Sequence, residues 1–281
     1  MIEKVAVVGL GLIGGSIAKA LRKYTDIDVI GVDVDTKTLD KALREGTISE
    51  AFREINFALE VDVLFICTPV GKIADNVKNI YPHLKKGCII TDVGSTKKVV
   101  MEEIEKFLPL DFYFIGGHPM AGTEKAGYDY SHPDLFVDSF YFLVPSDSVE
   151  EGILEIFVKE IIKKIGAKPV IVDYNEHDRI VGVISHVPHI ISTTLSNFAH
   201  RECKDALKYA AGGFKDTTRI ALSQTEMWKD IIFSNKEVLL ELLKSYKDLI
   251  EDFIQHLEEE DEDFLVDFLN RAREYRKNIE V

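Results

Sequence analysis

Four of the eight histidines in this 281-residue sequence stand in settings where an imidazole could take part in chemistry. His118 is the clearest of them, because it lies in a glycine-flanked loop, Gly116-Gly117-His118-Pro119-Met120-Ala121-Gly122, after a predicted strand. Histidine titrates near neutral pH, so it can accept a proton while a neighbouring carbon loses hydride. Glycines on both sides favour a close approach of the backbone to a ligand. On these residues alone His118 is a candidate general base, and an exposed loop histidine without function is the alternative.

The other three histidines lie further along the chain. His186 and His189 fall three positions apart in Ser185-His186-Val187-Pro188-His189, which places both on one face of a predicted helix. The same spacing suits two metal ligands, but no third ligand accompanies them, so the sequence predicts no metal site. His177 could cap a helix or pair with a neighbour near the helix start.

A glycine-rich turn near the N-terminus has the residue types that bind a dinucleotide. The hexapeptide GLGLIG, from Gly9 to Gly14, follows a predicted strand and opens a predicted helix, as this motif requires. Gly9 permits a tight turn, Gly11 lets a pyrophosphate approach the backbone, and Gly14 lets the helix pack against the strand. Amide groups at the helix start, those of Leu12 and Ile13 among them, would face the phosphates.

Asp33 and a Thr-Pro pair complete the predicted cofactor site. Asp33 lies 19 residues beyond Gly14, at the end of the second predicted strand. A carboxylate there accepts both ribose hydroxyls of NAD and repels the 2′-phosphate of NADP. Thr68 and Pro69 follow another strand, so they would reach the same carboxyl edge of the sheet. The sequence therefore predicts NAD as the cofactor.

Alternating strand and helix patterns would position these groups. Runs of β-branched and apolar residues predict strands at 5–9, 29–33, 63–67, 88–92, 113–116, 140–144 and 169–173. Helical spacing predicts helices over 13–24, 35–45, 70–81 and 97–107, the second of them capped by Asp35. This alternation implies an α/β, Rossmann-type domain with a mostly parallel sheet and helices on both faces.

The strand signal ends near Asp173, and the rest of the sequence is helical. One long helix is predicted over 175–200, with a kink at Pro188. Apolar residues then recur at helical spacing, and the acidic run at 258–263 predicts a solvated turn between two C-terminal helices. We therefore predict two domains: a cofactor-binding domain over 1–173, and an all-α domain over 174–281 that forms a homodimer through its apolar stripes.

Composition argues against several other classes of protein. With 34 Lys and Arg against 48 Asp and Glu, the net charge of −14 argues against binding to nucleic acid or to an anionic membrane surface. No apolar run is long enough to span a membrane, and no signal peptide is recognisable. The three cysteines (Cys67, Cys88 and Cys203) are far apart and lie in apolar or helical segments. These features predict a cytoplasmic protein with reduced cysteines.

Four motifs, in order along the chain, resemble those of one enzyme family. They are Gly94-Ser95, the His118 segment, the segment with His186 and His189, and Gly212-Gly213-Phe214-Lys215-Asp216-Thr217-Thr218-Arg219-Ile220-Ala221. With the NAD fingerprint in front, nearly the whole chain resembles the prephenate dehydrogenase family of tyrosine biosynthesis, which includes arogenate dehydrogenase. The resemblance implies NAD-dependent oxidative decarboxylation of prephenate to 4-hydroxyphenylpyruvate, with release of carbon dioxide and NADH.

The resemblance also implies roles for particular residues. His118 would accept the proton of the ring hydroxyl, and Ser95 would hydrogen-bond to His118 and to that hydroxyl. A guanidinium matches a carboxylate in a bidentate way, so Arg219 is expected to bind the dicarboxylic substrate. Its alternative is an ion pair with Asp216 on the helix surface. Both can hold, because the family has an ionic network there, with Glu124 as a further member, that controls substrate access.

Three more residues have an implied place in the substrate site. His186 would contact the substrate, and its alternative is a core histidine with a satisfied hydrogen bond. The loop that contains Gly213 would approach the active site from the partner subunit. Trp228, the only tryptophan, would belong to the core or line the site.

Other functions stay open on the sequence. Arogenate dehydrogenase differs only in the substrate side chain, which carries an amino group in place of the keto oxygen. A β-hydroxyacid dehydrogenase or imine reductase shares the domain order, but it relies on a helical-domain lysine motif that does not stand out here. A non-catalytic NAD-binding regulator would not need Ser95, His118 and Arg219. The length leaves no room for a fused mutase or regulatory domain, so we expect any inhibition by tyrosine to occur at the active site.

Overall fold

The computed structural model describes residues 1–123 and 125–279. By its internal contacts the chain divides into one compact unit over Met1–Asn235 and a second that begins at Lys236. The sequence predicts a boundary near residue 173, where the strand signal ends. The first unit extends beyond it, because helices after residue 173 contact the rest of this unit. The two-domain boundary at residue 173 stays a prediction.

One eight-stranded sheet organises the first unit. In chain order its strands are β1 Lys4–Val8, β2 Asp28–Val32, β3 Glu50–Phe52, β4 Val63–Ile66, β5 Ile89–Asp92, β6 Tyr113–Pro119, β7 Phe140–Pro145 and β8 Lys168–Ile171. They lie in the order β3-β2-β1-β4-β5-β6-β7-β8, and all neighbours are parallel except β6 and β7. The predicted mostly parallel, Rossmann-type sheet is confirmed. The short edge strand β3 was not predicted, since three half-exposed residues give no pattern.

The glycines before His118 belong to a strand and not to a loop. Gly116 and Gly117 pair with Val144 and Leu143 of β7, and β6 runs on through His118 to Pro119. A Cβ on Gly117 would lie 2.4 Å from the carbonyl oxygen of Asp92. Glycine in a strand marks such a close approach of another backbone, which a sequence pattern cannot distinguish from a turn. The prediction that His118 lies in a loop after the strand is therefore wrong, because the strand continues through His118.

Residues on the strands alternate between two buried clusters, one on each face of the sheet. In β1, Val5 and Val7 belong to one cluster, and Ala6 and Val8 belong to the other. Helices α1 Leu12–Tyr24, α2 Thr36–Arg44 and α5 Glu151–Phe157 supply the first cluster, and α3 Ile73–Ile80 and α4 Lys98–Glu105 supply the second. The expectation of helices on both faces is confirmed. Asp35 caps α2, as predicted, by accepting the amide of Lys37.

The long helix predicted over 175–200 is present as three successive segments. These are α6 Tyr174–Val181, a π-helical stretch over Gly182–His186, and α7 Val187–Glu202. The π-helical stretch ends two residues before Pro188, whose nitrogen carries no hydrogen for the usual backbone hydrogen bond. The kink at Pro188 stays a prediction. Two shorter helices, α8 Gly212–Thr218 and α9 Thr225–Ser234, complete the first unit.

The second unit consists of two helices, α10 Lys236–Glu258 and α11 Glu262–Lys277. Three residues of the acidic run, 259–261, form the connection between them, and the predicted turn is confirmed there. Asp261 caps α11 by accepting the amide of Phe264. Across the described residues, helices with the length and apolarity to cross a membrane are absent.

Candidate active site

The glycine-rich turn lies where the strand order of the sheet reverses, between β1 and β4. Gly9 has a φ of +89°, and a Cβ there would lie 2.7 Å from the carbonyl oxygen of Cys67. A Cβ on Gly14 would lie 1.9 Å from the Gly9 oxygen. A Cβ on Gly11, in contrast, would meet no described atom within 4 Å. Protein packing thus requires glycine at positions 9 and 14, whereas position 11 is open toward a ligand.

The start of α1 offers amide donors to that open space. Its N-cap is Gly11, which has no side chain to satisfy the first amides, and Leu12 and Ile13 follow in the first turn. Helix-start amides that receive no cap favour an anionic ligand such as a pyrophosphate.

Asp33 and Thr68 lie just beyond the ends of β2 and β4, the two strands next to β1. The carboxylate of Asp33 accepts the amides of Leu10 (2.7 Å) and Asp35 (2.9 Å), which fixes its position at the end of β2. Each carboxylate oxygen can accept a second donor, so ribose hydroxyls can still bind. Thr68 accepts a hydrogen bond from Asn76 (2.9 Å), and Pro69 next to it is exposed.

His118 belongs to a buried chain of hydrogen bonds. Its Nδ1 lies 2.9 Å from Nε2 of His177, and Nδ1 of His177 lies 2.7 Å from Oδ1 of Asp178. Asp178 in turn accepts the backbone amides of Lys97 (2.8 Å) and Lys98 (3.0 Å) at the start of α4. The second ring nitrogen of His118 makes no hydrogen bond to the described residues.

A buried ion pair holds the backbone around this series of hydrogen bonds. The ammonium of Lys97 pairs with Asp92 at the end of β5, and both side chains are fully buried. Asp92 also accepts the amides of Gly94 (2.7 Å) and Gly117 (3.0 Å), the second of which directly precedes His118. A buried charge pair is held in place when further donors satisfy the carboxylate. Here one donor lies in the segment after β5, and the other lies in β6 directly before His118.

Burial keeps these histidines neutral. Desolvation lowers the pKa of His118 well below its ordinary value, and the nearby His177, Lys97 and His186 add to this effect. The pKa of His177 is also lowered, chiefly by burial, although Asp178 opposes the change. At neutral pH, His118 therefore has a lone pair on one ring nitrogen and can accept a proton.

The buried His186 and the half-buried Trp228 form a second group beside the first. The side-chain amide of Asn235 donates to the carbonyl oxygen of Asp178 (2.9 Å) and contacts Nδ1 of His186 (3.1 Å). Burial lowers the pKa of His186 to about 4. A neutral His186 that accepts at Nδ1 carries its hydrogen on Nε2, so it is a donor. Trp228 meets His186 edge-on and stacks on His189, with ring centroids 3.4 Å apart.

Two buried polar atoms of this second group have no partner among the described residues. They are Nε1 of Trp228 and Nδ1 of His189. Unpaired buried polar groups are uncommon and mark places where a ligand or water completes the bonding. The spacing of three residues predicts that His186 and His189 share a helix face, and both histidines contact the same tryptophan.

The remaining predicted site residues differ in where the structure places them. Ser95 is half-buried and makes no bond to His118, whose Nδ1 is taken by His177. Gly213 and Asp216 on α8 are exposed, as is Arg219, which directly follows that helix. Glu124 lies outside the described residues. The roles expected of these residues stay predictions.

Sequence reasoning missed most of the residues that support His118. Asp92 ends a predicted strand at the carboxyl edge of the sheet, which marks it as a candidate site residue. His177 and Asp178 are adjacent in sequence, which marks them as a possible imidazole–carboxylate pair. Lys97 and Asn235 carried none, because only the tertiary fold brings them to the site. Groups of three or more His, Cys, Asp or Glu side chains that could hold a metal ion do not occur in the described chain.

Two family models together match most of the chain. The model described as "Prephenate dehydrogenase, nucleotide-binding domain" matches residues 17–171, and "Prephenate dehydrogenase, dimerization domain" matches residues 173–271. The prephenate dehydrogenase of Bacillus subtilis (strain 168) is 36% identical over 243 residues, which are 84% of this chain and 65% of that protein. The prephenate dehydrogenase of Lactococcus lactis subsp. cremoris (strain MG1363) is 35% identical, with 84% of this chain and 66% of that protein covered. The chain thus spans just under two thirds of the length of these two relatives.

A solved structure matches over a larger share. The crystal structure of prephenate dehydrogenase from A. aeolicus, in complex with hydroxyphenyl propionate and NAD+, is 31% identical, with a TM-score of 0.92. The match covers 99% of this chain and 99% of that chain. The fold, the order of the motifs and both family models agree: this chain belongs to the prephenate dehydrogenase family.

Proposed function

We propose that the protein catalyses the NAD-dependent oxidative decarboxylation of prephenate to 4-hydroxyphenylpyruvate, a step of tyrosine biosynthesis. The observation that carries the proposal is His118. It is a neutral, buried histidine at the carboxyl end of β6 whose Nε2 makes no hydrogen bond to the described residues. A non-catalytic NAD-binding protein has no use for a proton acceptor held in this way.

The residues around the glycine-rich turn fit NAD. The uncapped amides of Leu12 and Ile13 would bind the pyrophosphate, which the open space at Gly11 admits. Asp33 would accept the ribose hydroxyls and repel a 2′-phosphate, and Thr68 and Pro69 would line the edge of the site. Bound NAD supplies the acceptor for the hydride that leaves the substrate ring.

The chain's own residues handle the proton. As the ring hydroxyl becomes a carbonyl, its proton passes to Nε2 of His118. Ser95, which lies at the start of the segment before α4, is proposed to orient that hydroxyl. Loss of the ring carboxylate as carbon dioxide then makes the ring aromatic, which supplies much of the driving force. The carbonyl oxygen becomes the phenol oxygen of the product and takes the proton back from Nε2 of His118.

The substrate's carboxylates need donors at the other end of the site. We assign one to Arg219, through a bidentate contact, and a neutral N–H donor to His186. Trp228 would form the wall of the site beside them. Glu124 and Asp216 would belong with Arg219 to the network that controls substrate access.

The exposed positions of Gly213, Asp216 and Arg219 suit a site completed by a second copy of the chain. Large apolar side chains that follow α8 in the chain are also exposed, among them Leu222 at 80% and Phe233, on α9, at 68%. Such surface on a folded unit favours association, and residues 173–271 match a dimerisation model. We therefore propose a homodimer in which the start of α8, with Gly213, reaches the partner's site; Gly213 lies in this helix and not in the loop that the resemblance implies. The cytoplasmic location stays a prediction.

Tyrosine is proposed as an inhibitor at the same site, because it shares the six-membered ring and carboxylate-bearing side chain of the reactants. If so, tyrosine raises KM for prephenate and leaves kcat unchanged. An inhibition that lowers kcat at saturating prephenate would place tyrosine elsewhere.

The test is an assay of the purified chain with NAD and either prephenate or arogenate, followed by NADH absorbance. NADH formation with prephenate supports the proposal. Activity with arogenate alone would make the protein an arogenate dehydrogenase. Activity with neither, while NAD still binds, would favour the NAD-binding regulator.

A further inference from the structure

We propose that His177 and Asp178 are positioning residues that hold His118 in a single tautomer, with hydrogen on Nδ1 and the lone pair on Nε2. The inference deepens the proposed function, since it explains which nitrogen of His118 accepts the substrate's proton. It rests on three hydrogen-bonded side chains in a row, all buried within the first unit.

The carboxylate of Asp178 determines the direction in which the hydrogen bonds of this series are donated. Its Oδ1 accepts the amide of Lys97 and its Oδ2 accepts the amide of Lys98, so both oxygens are already acceptors. Two backbone amides at a helix start favour a carboxylate over a carboxylic acid. The contact of 2.7 Å between Oδ1 and His177 must therefore use a hydrogen on Nδ1 of that imidazole.

The tautomer of His177 then determines that of His118. A neutral imidazole with hydrogen on Nδ1 has its lone pair on Nε2. The Nε2 of His177 lies 2.9 Å from Nδ1 of His118, so the hydrogen between them belongs to His118. In the opposite tautomer of His118, two lone pairs would face each other at this distance in a buried site, which is unfavourable. Only Nε2 of His118 is left to accept a proton.

The same chain stabilises His118 after it has accepted the proton. Lys97 is a nearby cation that opposes a charged imidazole, and Asp92 is already paired with it. The carboxylate of Asp178, reached through His177, is thus the negative charge available to balance an imidazolium at His118. No proton has to move along the chain, because one proton enters at Nε2 and the hydrogen on Nδ1 remains in place.

The tautomer can be observed directly in the complete protein. In 15N-histidine-labelled protein without substrate, the ring signals of His118, identified by their loss in His118→Asn, should show a protonated Nδ1 and an unprotonated Nε2. The variant His177→Phe removes the acceptor of Nδ1, so His118 should become a mixture of the two tautomers. A wild-type His118 protonated at Nε2 would overturn the proposal, whether or not the enzyme uses prephenate.

Kinetics link the tautomer to the reaction. We expect His177→Phe to lower kcat with prephenate by about 10²-fold, within the range that an oriented general base contributes, with KM little changed. The matched control is Phe142→Leu, since the Phe142 ring packs against both His118 and His177 without a hydrogen bond. This control should keep the wild-type tautomer and kcat within about threefold, as expected for a packing change alone.

Two kinetic results would contradict the inference. One is a His177→Phe enzyme that keeps wild-type kcat although His118 has become a mixture of tautomers. The other is a large loss of kcat while His118 keeps its hydrogen on Nδ1, which would make His177 a merely structural residue. If the wild-type protein oxidises neither prephenate nor arogenate, the proposed function fails, and the NMR measurement still decides the tautomer.

Discussion

The cofactor-binding turn and the histidine cluster (His118, His177 and Asp178, with the neighbouring His186) adjoin the same sheet but are built in different ways. The turn spans Gly9 to Gly14, with Asp33 on the next strand, and its shape follows from backbone geometry and the absence of side chains. The cluster joins side chains far apart in sequence. His118 and His177 are 59 residues apart, and the Lys97 amide is 81 residues from its Asp178 acceptor.

This difference predicts how each region fails. A site made of close backbone contacts is damaged when atoms are added, because the helix and strand can no longer approach each other. A site made of buried hydrogen bonds is damaged when a partner is removed or a proton is added, because a polar group is then left unpaired. Substitutions in the two regions therefore distinguish these two kinds of damage.

Loss of the His118 imidazole should have the largest effect, and it should be confined to chemistry. We expect His118→Asn to lower kcat by roughly 10²–10⁴-fold, the contribution typical of a general base, while the dissociation constant of NAD stays unchanged. Steady-state kinetics and calorimetric titration with NAD measure the two quantities. A variant that keeps near-wild-type kcat would remove His118 from the mechanism.

The glycines of the turn should respond to an added methyl group according to what each one faces. Gly14→Ala places a Cβ against the Gly9 oxygen and should lower the free energy of unfolding by about 3 kcal/mol, the upper end for overpacking. Gly11→Ala is the matched control. Its Cβ meets no described atom within 4 Å, so stability should change by less than about 0.5 kcal/mol while NAD affinity falls.

Denaturant unfolding and NAD titration of both glycine variants check this pair. Equal losses of stability in the two variants would show that protein atoms also pack closely around position 11. That result would contradict the prediction that only Gly14 is required for packing.

Acid should destabilise the protein through the histidine cluster. The pKa of His186 is about 4 in the fold, so below pH about 6.5 the unfolded chain binds a proton that the folded chain excludes. Stability is therefore lost as pH falls. Between pH 7 and pH 5 the loss from His186 is about 2 kcal/mol, and His118 and His177, whose pKa values are also lowered, add to it.

Urea unfolding at pH 7, 6 and 5 measures this dependence. His186→Gln should weaken it, whereas the same change at the exposed His200 should leave it as in the wild type. A pH dependence that is identical in the His186 variant and the wild type would contradict the assignment of acid sensitivity to the cluster.

Cofactor selectivity should show the smallest effect. Asp33→Ser removes the charge that repels a 2′-phosphate, so the preference for NAD over NADP should fall by about tenfold, or about 1.4 kcal/mol. The ratio of kcat/KM for the two cofactors is the measurement. An unchanged ratio would assign the discrimination to another residue near the turn, with Asp35 the nearest carboxylate in sequence.

The fold was largely predictable from the sequence, and its exceptions have physical reasons. Seven of the eight strands contain apolar or β-branched residues in a short run that predicts a strand, but β3 is too short to give a pattern. The glycines before His118 predict a loop, whereas they belong to β6 and allow it to lie close to Asp92. The pattern of a glycine is the same whether it serves a turn or a close backbone contact.

Local spacing in the sequence is enough to specify the order of strands and helices, the glycine-rich turn, Asp33 at the end of its strand, and His118 as the candidate base. Tertiary structure alone decided what surrounds that histidine. His177, Asp178 and Lys97 meet it because β5, β6, α4 and α6 converge at one edge of the sheet. Backbone geometry repeats over a few residues and leaves a motif, while a buried hydrogen bond joins any two positions that the fold brings within about 3 Å.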